Sequence, residues 1–189
     1  MKPYVEIRWH GRGGQGTVTA AKVLAETALS SGKYVQAFPE YGPERMGAPL
    51  RAYNRLSDKP VRIHAQVTNP DVVVVVDPYL IGAVDVTEGA TEDTIYVINT
   101  SDSPQEIKQK LGVKSKVFTV NATKIAMETI QSSIPNTPML GAVAKATGLI
   151  TLENLLEDVK KSFGKKFNQK IIDANLLAVK QASEEVTSA

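Results

Sequence analysis

Residues 72–76 are five consecutive valines, bounded by Pro70 and Pro78. A run that is β-branched throughout and has no polar side fits a central parallel strand covered on both faces. TIYVI (94–98) and KVFTV (116–120) repeat that character. Between those two, SPQEIKQKLG carries a capping box from Ser103 to Glu106 and Pro104 at the first helical position, so a helix connects them. Upstream, Val5, Ile7 and Trp9 alternate with polar residues as a first strand. Val18, Ala21, Leu24, Ala25, Ala28 and Leu29 then recur at helical spacing, with Gly32 as the stop. YVQAF (34–38) reads as a second strand ended by Pro39. LRAYNRLSDKPVRI (50–63) reads as a hairpin, two alternating runs around LSDKP. Asn121 can cap ATKIAMETIQ, and from about Thr137 the chain is mostly helical. The alternation predicts a single α/β domain over 1–189. Three α/β/α layers enclose a mostly parallel, mixed sheet with an inserted β-hairpin.

Composition narrows the chemistry. The sequence of 189 residues contains no cysteine, which excludes disulfides, thiolate nucleophiles and cysteine-ligated iron–sulfur clusters within this chain. His10 and His64 are the two histidines, too few for a histidine-based zinc site, and no metal is expected. A net charge of +2 does not point to nucleic acid. Glu6 and Arg8 stand where a signal peptide would need an apolar run, and the valine run is far short of a membrane span. A cytoplasmic protein with no membrane partner is the expectation.

The first strand runs into Gly11, Arg12, Gly13, Gly14, Gln15, Gly16 and Thr17, with Gly11, Gly13 and Gly16 spaced G-x-G-x-x-G. Glycines there allow a tight turn. The following helix N-terminus offers unpaired N–H groups to an anion, with Arg12 adding charge and Thr17 near the helix start. Close packing of strand on helix needs the same glycines, so both readings stand. A dinucleotide site further requires an acid about 20 residues on. Counting reaches Ser31 from Gly11 and Gln36 from Gly16, and the nearest acid is Glu40, beyond Pro39. The dinucleotide reading fails its own test, although a self-standing dinucleotide-binding oxidoreductase remains the alternative of another class.

A second loop follows the second strand: Glu40, Tyr41, Gly42, Pro43, Glu44, Arg45, Met46 and Gly47, with Arg51 just beyond. Tyr, Met and Arg are residue types enriched at interface cores, and the edge where strands end is where ligands and partners meet an α/β sheet. Elsewhere the signals are weaker. Asp77 ends the valine run as a loop or capping group, Trp9 reads as core, and His10 ends the first strand beside the glycine loop. His64 reads as a hairpin side chain. The run DVKKSFGKKFNQK, with Lys160, Lys161, Lys165, Lys166 and Lys170, reads as helix-end and loop decoration, although it could attract an acidic partner such as ferredoxin.

Taken together, EIRWHGRGGQG, VQAFPEYGPERMGAPLRAYNR, NPDVVVVVD and the later NTPMLGAVAKATGLI resemble the gamma subunits of the 2-oxoacid:ferredoxin oxidoreductase family over most of the chain. The pairing of RGGQG with EYGPERMGAP is far more specific than either motif alone. The resemblance implies a gamma subunit of a complex that converts pyruvate, coenzyme A and oxidised ferredoxin to acetyl-CoA, carbon dioxide and reduced ferredoxin, reversibly. The same family also acts on 2-oxoisovalerate or 2-oxoglutarate. It implies thiamine diphosphate, magnesium and iron–sulfur clusters on partner alpha, beta and delta subunits, with ferredoxin met through the complex. By the same resemblance this chain has no catalytic residue and no complete active site. Loop 11–17 would bind coenzyme A or pack on a partner, and residues 40–47 would form a subunit interface.

Overall fold

The computed structural model describes residues 3–40, 47–63, 65–164 and 166–189. The chain opens with β1 (Tyr4–Arg12) and α1 (Thr17–Ser30), then β2 (Tyr34–Glu40) and β3 (Pro49–Ser57). The valine strand β4 (Val72–Val75) leads through a short 3-10 helix (Pro78–Leu80) to β5 (Ile95–Asn99) and α2 (Pro104–Leu111). Next come β6 (Val117–Val120) and α3 (Ala122–Thr129), and then α4 (Asn136–Thr147), α5 (Leu152–Gly164) and α6 (Gln169–Glu185). Two residues, β7 (Thr187–Ser188), close the far edge.

Seven strands form one sheet in the order β2-β3-β1-β4-β5-β6-β7. The centre, β1-β4-β5-β6, is parallel, and β2, β3 and β7 are antiparallel flanks. The expected α/β fold with a mixed sheet is the observed one, and the valine run occupies the fully buried middle. The inserted hairpin exists but is made differently. β3 turns back on β2, with Glu40 opposite Arg51 and Tyr34 opposite Ser57, whereas residues 60–63 form no strand. Nor does Pro39 end β2. It pairs opposite Ala52, because β2 is an edge strand where a missing N–H disturbs no second ladder.

Strand alternation sorts the core into two layers. Ile7, Trp9, Val72, Val74, Val97 and Val120 face α1, α3, α4, α5 and α6. Within this layer α4 is buried from Thr137 to Ala144, so it is apolar nearly all round, as an enclosed helix must be. Trp9 is core, as its position in the alternation predicts. Its indole N–H donates to Asn54 Oδ1 at 2.7 Å, and Asn54 Nδ2 donates to the Ala21 carbonyl at 2.8 Å, which ties β1, β3 and α1 together. On the other face Val73, Val75, Tyr96, Ile98 and Val117 pack under Ile107 of α2 and under Val86. The caps read from the sequence at Ser103 and Asn121 are observed, and Asn168 adds a third. Ser103 and Glu106 cap α2 reciprocally, Asn121 accepts from the Lys124 N–H, and Asn168 opens α6 in the same way.

Candidate functional site

β1 ends at the carboxyl edge of the parallel strands, and the glycine loop lies there as a locked structure. Arg12 Nε and Gln15 Nε2 both donate to Asp77 Oδ2 at 2.9 Å. Gln15 Oε1 accepts the Arg12 N–H at 2.8 Å, and Asp77 Oδ1 accepts the Tyr79 N–H at 2.9 Å. Arg12 Nη1 reaches the Gly47 carbonyl at 3.1 Å, while the Gly13 N–H donates to the Ala48 carbonyl at 3.2 Å. Asp77 is therefore both cap of the 3-10 helix and counter-charge to Arg12. The charge-assisted bonds pin the first loop, the start of β3 and the end of β4 to one another.

Two of the glycines are required by this packing itself. A Cβ on Gly11 would stand 2.0 Å from Thr17 Oγ1. Gly16 has φ 72° and lies against the Asn136 side chain, where a Cβ would come within 2.5 Å of Nδ2. Thr17 turns inward, 1% exposed, and its hydroxyl has no hydrogen-bond partner. α1 begins with no side-chain cap and no acid in its first turn, so its opening N–H groups carry an uncompensated positive end.

Beside the loop, the ends of β4, β5 and β6 enclose a cleft of about 630 Å³. Gln15, Asp77, Tyr79, Asn99, Thr100, Ser101, Asp102, Lys110, Asn121, Thr123 and Ser133 line it. Its two carboxylates are each answered by a cation, Asp77 by Arg12 and Asp102 by Lys110. What remains is a set of amides and hydroxyls with no net negative charge, a donor set suited to phosphate and sugar oxygens. Asn99 braces the floor. Its Nδ2 donates to the Val76 carbonyl at 2.8 Å and to Thr123 Oγ1 at 2.9 Å, and its Oδ1 accepts the Thr123 N–H at 3.2 Å. Sequence reasoning missed Asn99, Thr100, Ser101 and Thr123; their signal was their place just after apolar strands.

The second face carries a buried polar layer that strand alternation alone did not announce. Arg8, His10, Tyr53 and Arg55 are each about 1% exposed. Arg55 pairs with Glu6 at 2.8 Å. Arg8 donates through Nε to His10 Nε2 at 3.0 Å and through Nη2 to the Val86 and Glu88 carbonyls. Burial, with Arg8 and Arg51 nearby, pushes His10 down to about 3, so the imidazole is neutral and carries its proton on Nδ1. Tyr53 donates to Glu40, and burial followed by that bond raises its phenol to about 12. Glu40 also accepts from Gln66 Nε2 at 2.7 Å.

This places Glu40 far from any ribose-binding role. Gln36, where a dinucleotide site would need its acid, sits on an antiparallel edge strand separated from β1 by β3. In a dinucleotide fold that strand would neighbour β1 in parallel. Of the second loop, Gly47 meets Arg12, while Tyr41, Gly42, Pro43, Glu44, Arg45 and Met46 lie outside the described residues, as do His64 and Lys165. Lys160, Lys161, Lys166 and Lys170 are exposed at the end of α5, the turn and the start of α6. Among the described residues no three His, Cys, Asp or Glu side chains converge as a metal site requires, and no helix is long and apolar enough to cross a membrane.

The profile of the family pyruvate ferredoxin/flavodoxin oxidoreductase matches residues 6–185. The chain is 51% identical over 185 residues to a protein of Thermotoga maritima named pyruvate synthase subunit PorC, covering 98% of this chain and 96% of that one. It is 50% identical over 182 residues to the pyruvate/ketoisovalerate oxidoreductases common subunit gamma of Pyrococcus abyssi, covering 96% of each. The crystal structure of the T. maritima pyruvate oxidoreductase subunit PORC superposes with a TM-score of 0.89 at 48% identity, covering 100% of this chain and 99% of the other.

Proposed function

The chain belongs to the pyruvate ferredoxin/flavodoxin oxidoreductase family, and from that premise we propose that it serves as the gamma subunit of a complex that oxidises pyruvate. In this reading the complex joins the two-carbon product to coenzyme A as acetyl-CoA, releases carbon dioxide and passes two electrons to ferredoxin. The cleft at the ends of β4, β5 and β6, with Gln15 of loop 11–17 in its wall, contributes to the coenzyme A site. The observation that carries this is the cleft's position at the carboxyl edge of the parallel strands, where α/β sheets receive ligands, combined with its amide- and hydroxyl-rich lining. Thr100, Ser101 and Thr123 would hold phosphate or sugar oxygens through their hydroxyls, with Asn99 fixing the floor beneath them. When bound, coenzyme A supplies the thiol that accepts the acyl group. This chain's residues bind and orient the coenzyme and perform no bond-making themselves.

The other cofactors do not fit this chain. Iron–sulfur clusters need thiolates and the sequence contains none. We assign thiamine diphosphate, magnesium and the clusters to alpha, beta and delta subunits. Selection among 2-oxoacids is assigned there too, because the Pyrococcus relative is named as common to pyruvate and ketoisovalerate enzymes. A complex acting on 2-oxoisovalerate is therefore the second reading. Reconstitution tests the assignment. The isolated chain should oxidise no 2-oxoacid and should bind neither NAD nor FAD in calorimetry, while a complex lacking it should lose acyl-CoA formation. Micromolar NAD or FAD binding by the isolated chain would overturn the proposal in favour of a self-standing oxidoreductase.

A further inference from the structure

A second and larger groove, about 730 Å³, lies across the glycine loop and residues 132–136 from the cleft of β4, β5 and β6, with Gly14 and Gly16 in its wall, and runs along α1 to the α5–α6 corner. Much of its lining is apolar. Val23, Ile130, Ile134, Phe163, Phe167 and Ile171 line it, and the Phe163 and Phe167 rings meet edge-on at 5.4 Å. Three of these stay substantially open to solvent: Ile134 is 42%, Phe167 45% and Ile171 38% exposed. Large apolar side chains scattered singly need no explanation, but three converging on one groove mark a binding face.

The rim is basic. Lys22 and Lys166 line the groove, and Lys160, Lys161 and Lys170 are exposed around the same corner. The sequence from Val159 to Ile172 has five lysines and no acid. Against them stand Glu26, itself 3.9 Å from Lys22, Glu157 and Asp158, at 2.8 and 4.0 Å from Lys161, and Asp173 on α6, which leaves Lys160, Lys166 and Lys170 in excess. The corner thus keeps excess positive charge beside exposed aromatic and aliphatic surface. A wholly apolar occupant would leave the lysines unanswered, and a highly charged one would leave the phenylalanines in water.

We propose that this groove docks an acidic amphipathic segment of a partner subunit, its apolar stripe on Phe167, Ile171 and Ile134 and its carboxylates toward Lys166 and its neighbours. The mode is helix-in-groove recognition, with anchors spaced i, i+3 or i+4 on the incoming segment and the lysine rim fixing its direction. The inference rests on the chain being a subunit, and it adds where one contact lies and what chemistry makes it.

Site-specific photocrosslinking in the assembled complex tests it. With p-benzoyl-phenylalanine replacing Phe167, irradiation should join this chain to a peptide of another subunit that is net acidic and carries apolar residues at helical spacing. Lys166→Glu together with Lys170→Glu should lower that crosslink yield about tenfold at low salt. A crosslink to a second copy of this chain, to a basic or uncharged peptide, or to coenzyme A would overturn the docking assignment. So would no crosslink from a chain that still co-elutes with its partners. A chain absent from the complex before irradiation would instead defeat the subunit reading, and the docking proposal with it.

Discussion

His10 is the residue whose surroundings are felt most directly in solution. It sits 1% exposed on β1, with Arg8 on its own strand, Arg51 on the neighbouring β3 and Asp85 across from it, and its pKa falls to about 3 from an ordinary 6.5. A histidine held neutral in the fold but free to protonate when unfolded stabilises above its unfolded pKa, and that contribution is lost as pH falls. Between about pH 6.5 and 3, stability should therefore decline by up to about 1.4 kcal/mol per pH unit from this group alone. Urea denaturation across that range should show the slope, and His10→Gln should flatten it, leaving the part due to carboxylates. A variant whose slope matches the parent would mean His10 is protonated or exposed in the fold. Other residues were legible in the sequence with less ambiguity. Trp9, Asp77 and the Ser103–Glu106 box occupy the roles that spacing predicts, Trp9 because alternation turns it into the core and the others because local hydrogen bonding decides them. The burial of Arg8 and Arg55 was not legible. It depends on carbonyls of residues 65, 66, 86 and 88 folding over the strands, and alternation cannot report that.

Among the elements, the parallel strands were readable from their β-branched runs, while the hairpin was assigned to the wrong partner. LSDKP carries turn chemistry, so β3 was expected to fold forward onto 61–63; instead β3 pairs with β1 and β2, where nine and seven residues register. Two long ladders with buried Tyr53 and Arg55 outweigh a good local turn, a case of tertiary packing overriding propensity. The cleft was equally invisible, because strands β4, β5 and β6 contribute to it only after the sheet order is set. Asn99 shows how much one side chain holds there, linking the end of β4 to the start of α3. Asn99→Ala removes three hydrogen bonds and leaves a buried carbonyl and a helix N–H unpartnered, at a cost of about 2–3 kcal/mol. Urea titration of the isolated chain measures this, and a loss below about 0.5 kcal/mol would show that water or a neighbour replaces the amide.

At the scale of the whole molecule, the chain belongs to a family whose named relatives are subunits of larger enzymes. The family was legible because two motifs, RGGQG and EYGPERMGAP, fall after consecutive strands, and the structure ties their flanks together through Arg12 and Gly47. For residues 41–46 we propose an interface with another subunit, on their composition. Tyr41→Ala with Arg45→Ala should weaken assembly by about 2 kcal/mol or more per anchor, while the isolated chain melts as the parent does. Size exclusion of the co-expressed complex beside thermal melting separates the outcomes. Full co-elution of a normally folded variant would remove the loop from the interface.

We propose that this chain binds coenzyme A for the complex and leaves the 2-oxoacid to other subunits. Steady-state kinetics of the assembled enzyme carrying Arg12→Ala tests it most directly. Removal of the guanidinium leaves Asp77, in the wall of the cleft, with the Gln15 amide and the Tyr79 N–H but no counter-charge. That carboxylate would repel the coenzyme's phosphates, so the KM for coenzyme A should rise by about 10- to 100-fold, with the KM for the 2-oxoacid unchanged. If both constants stay at their parent values in an intact complex, loop 11–17 is purely structural and the coenzyme assignment is contradicted.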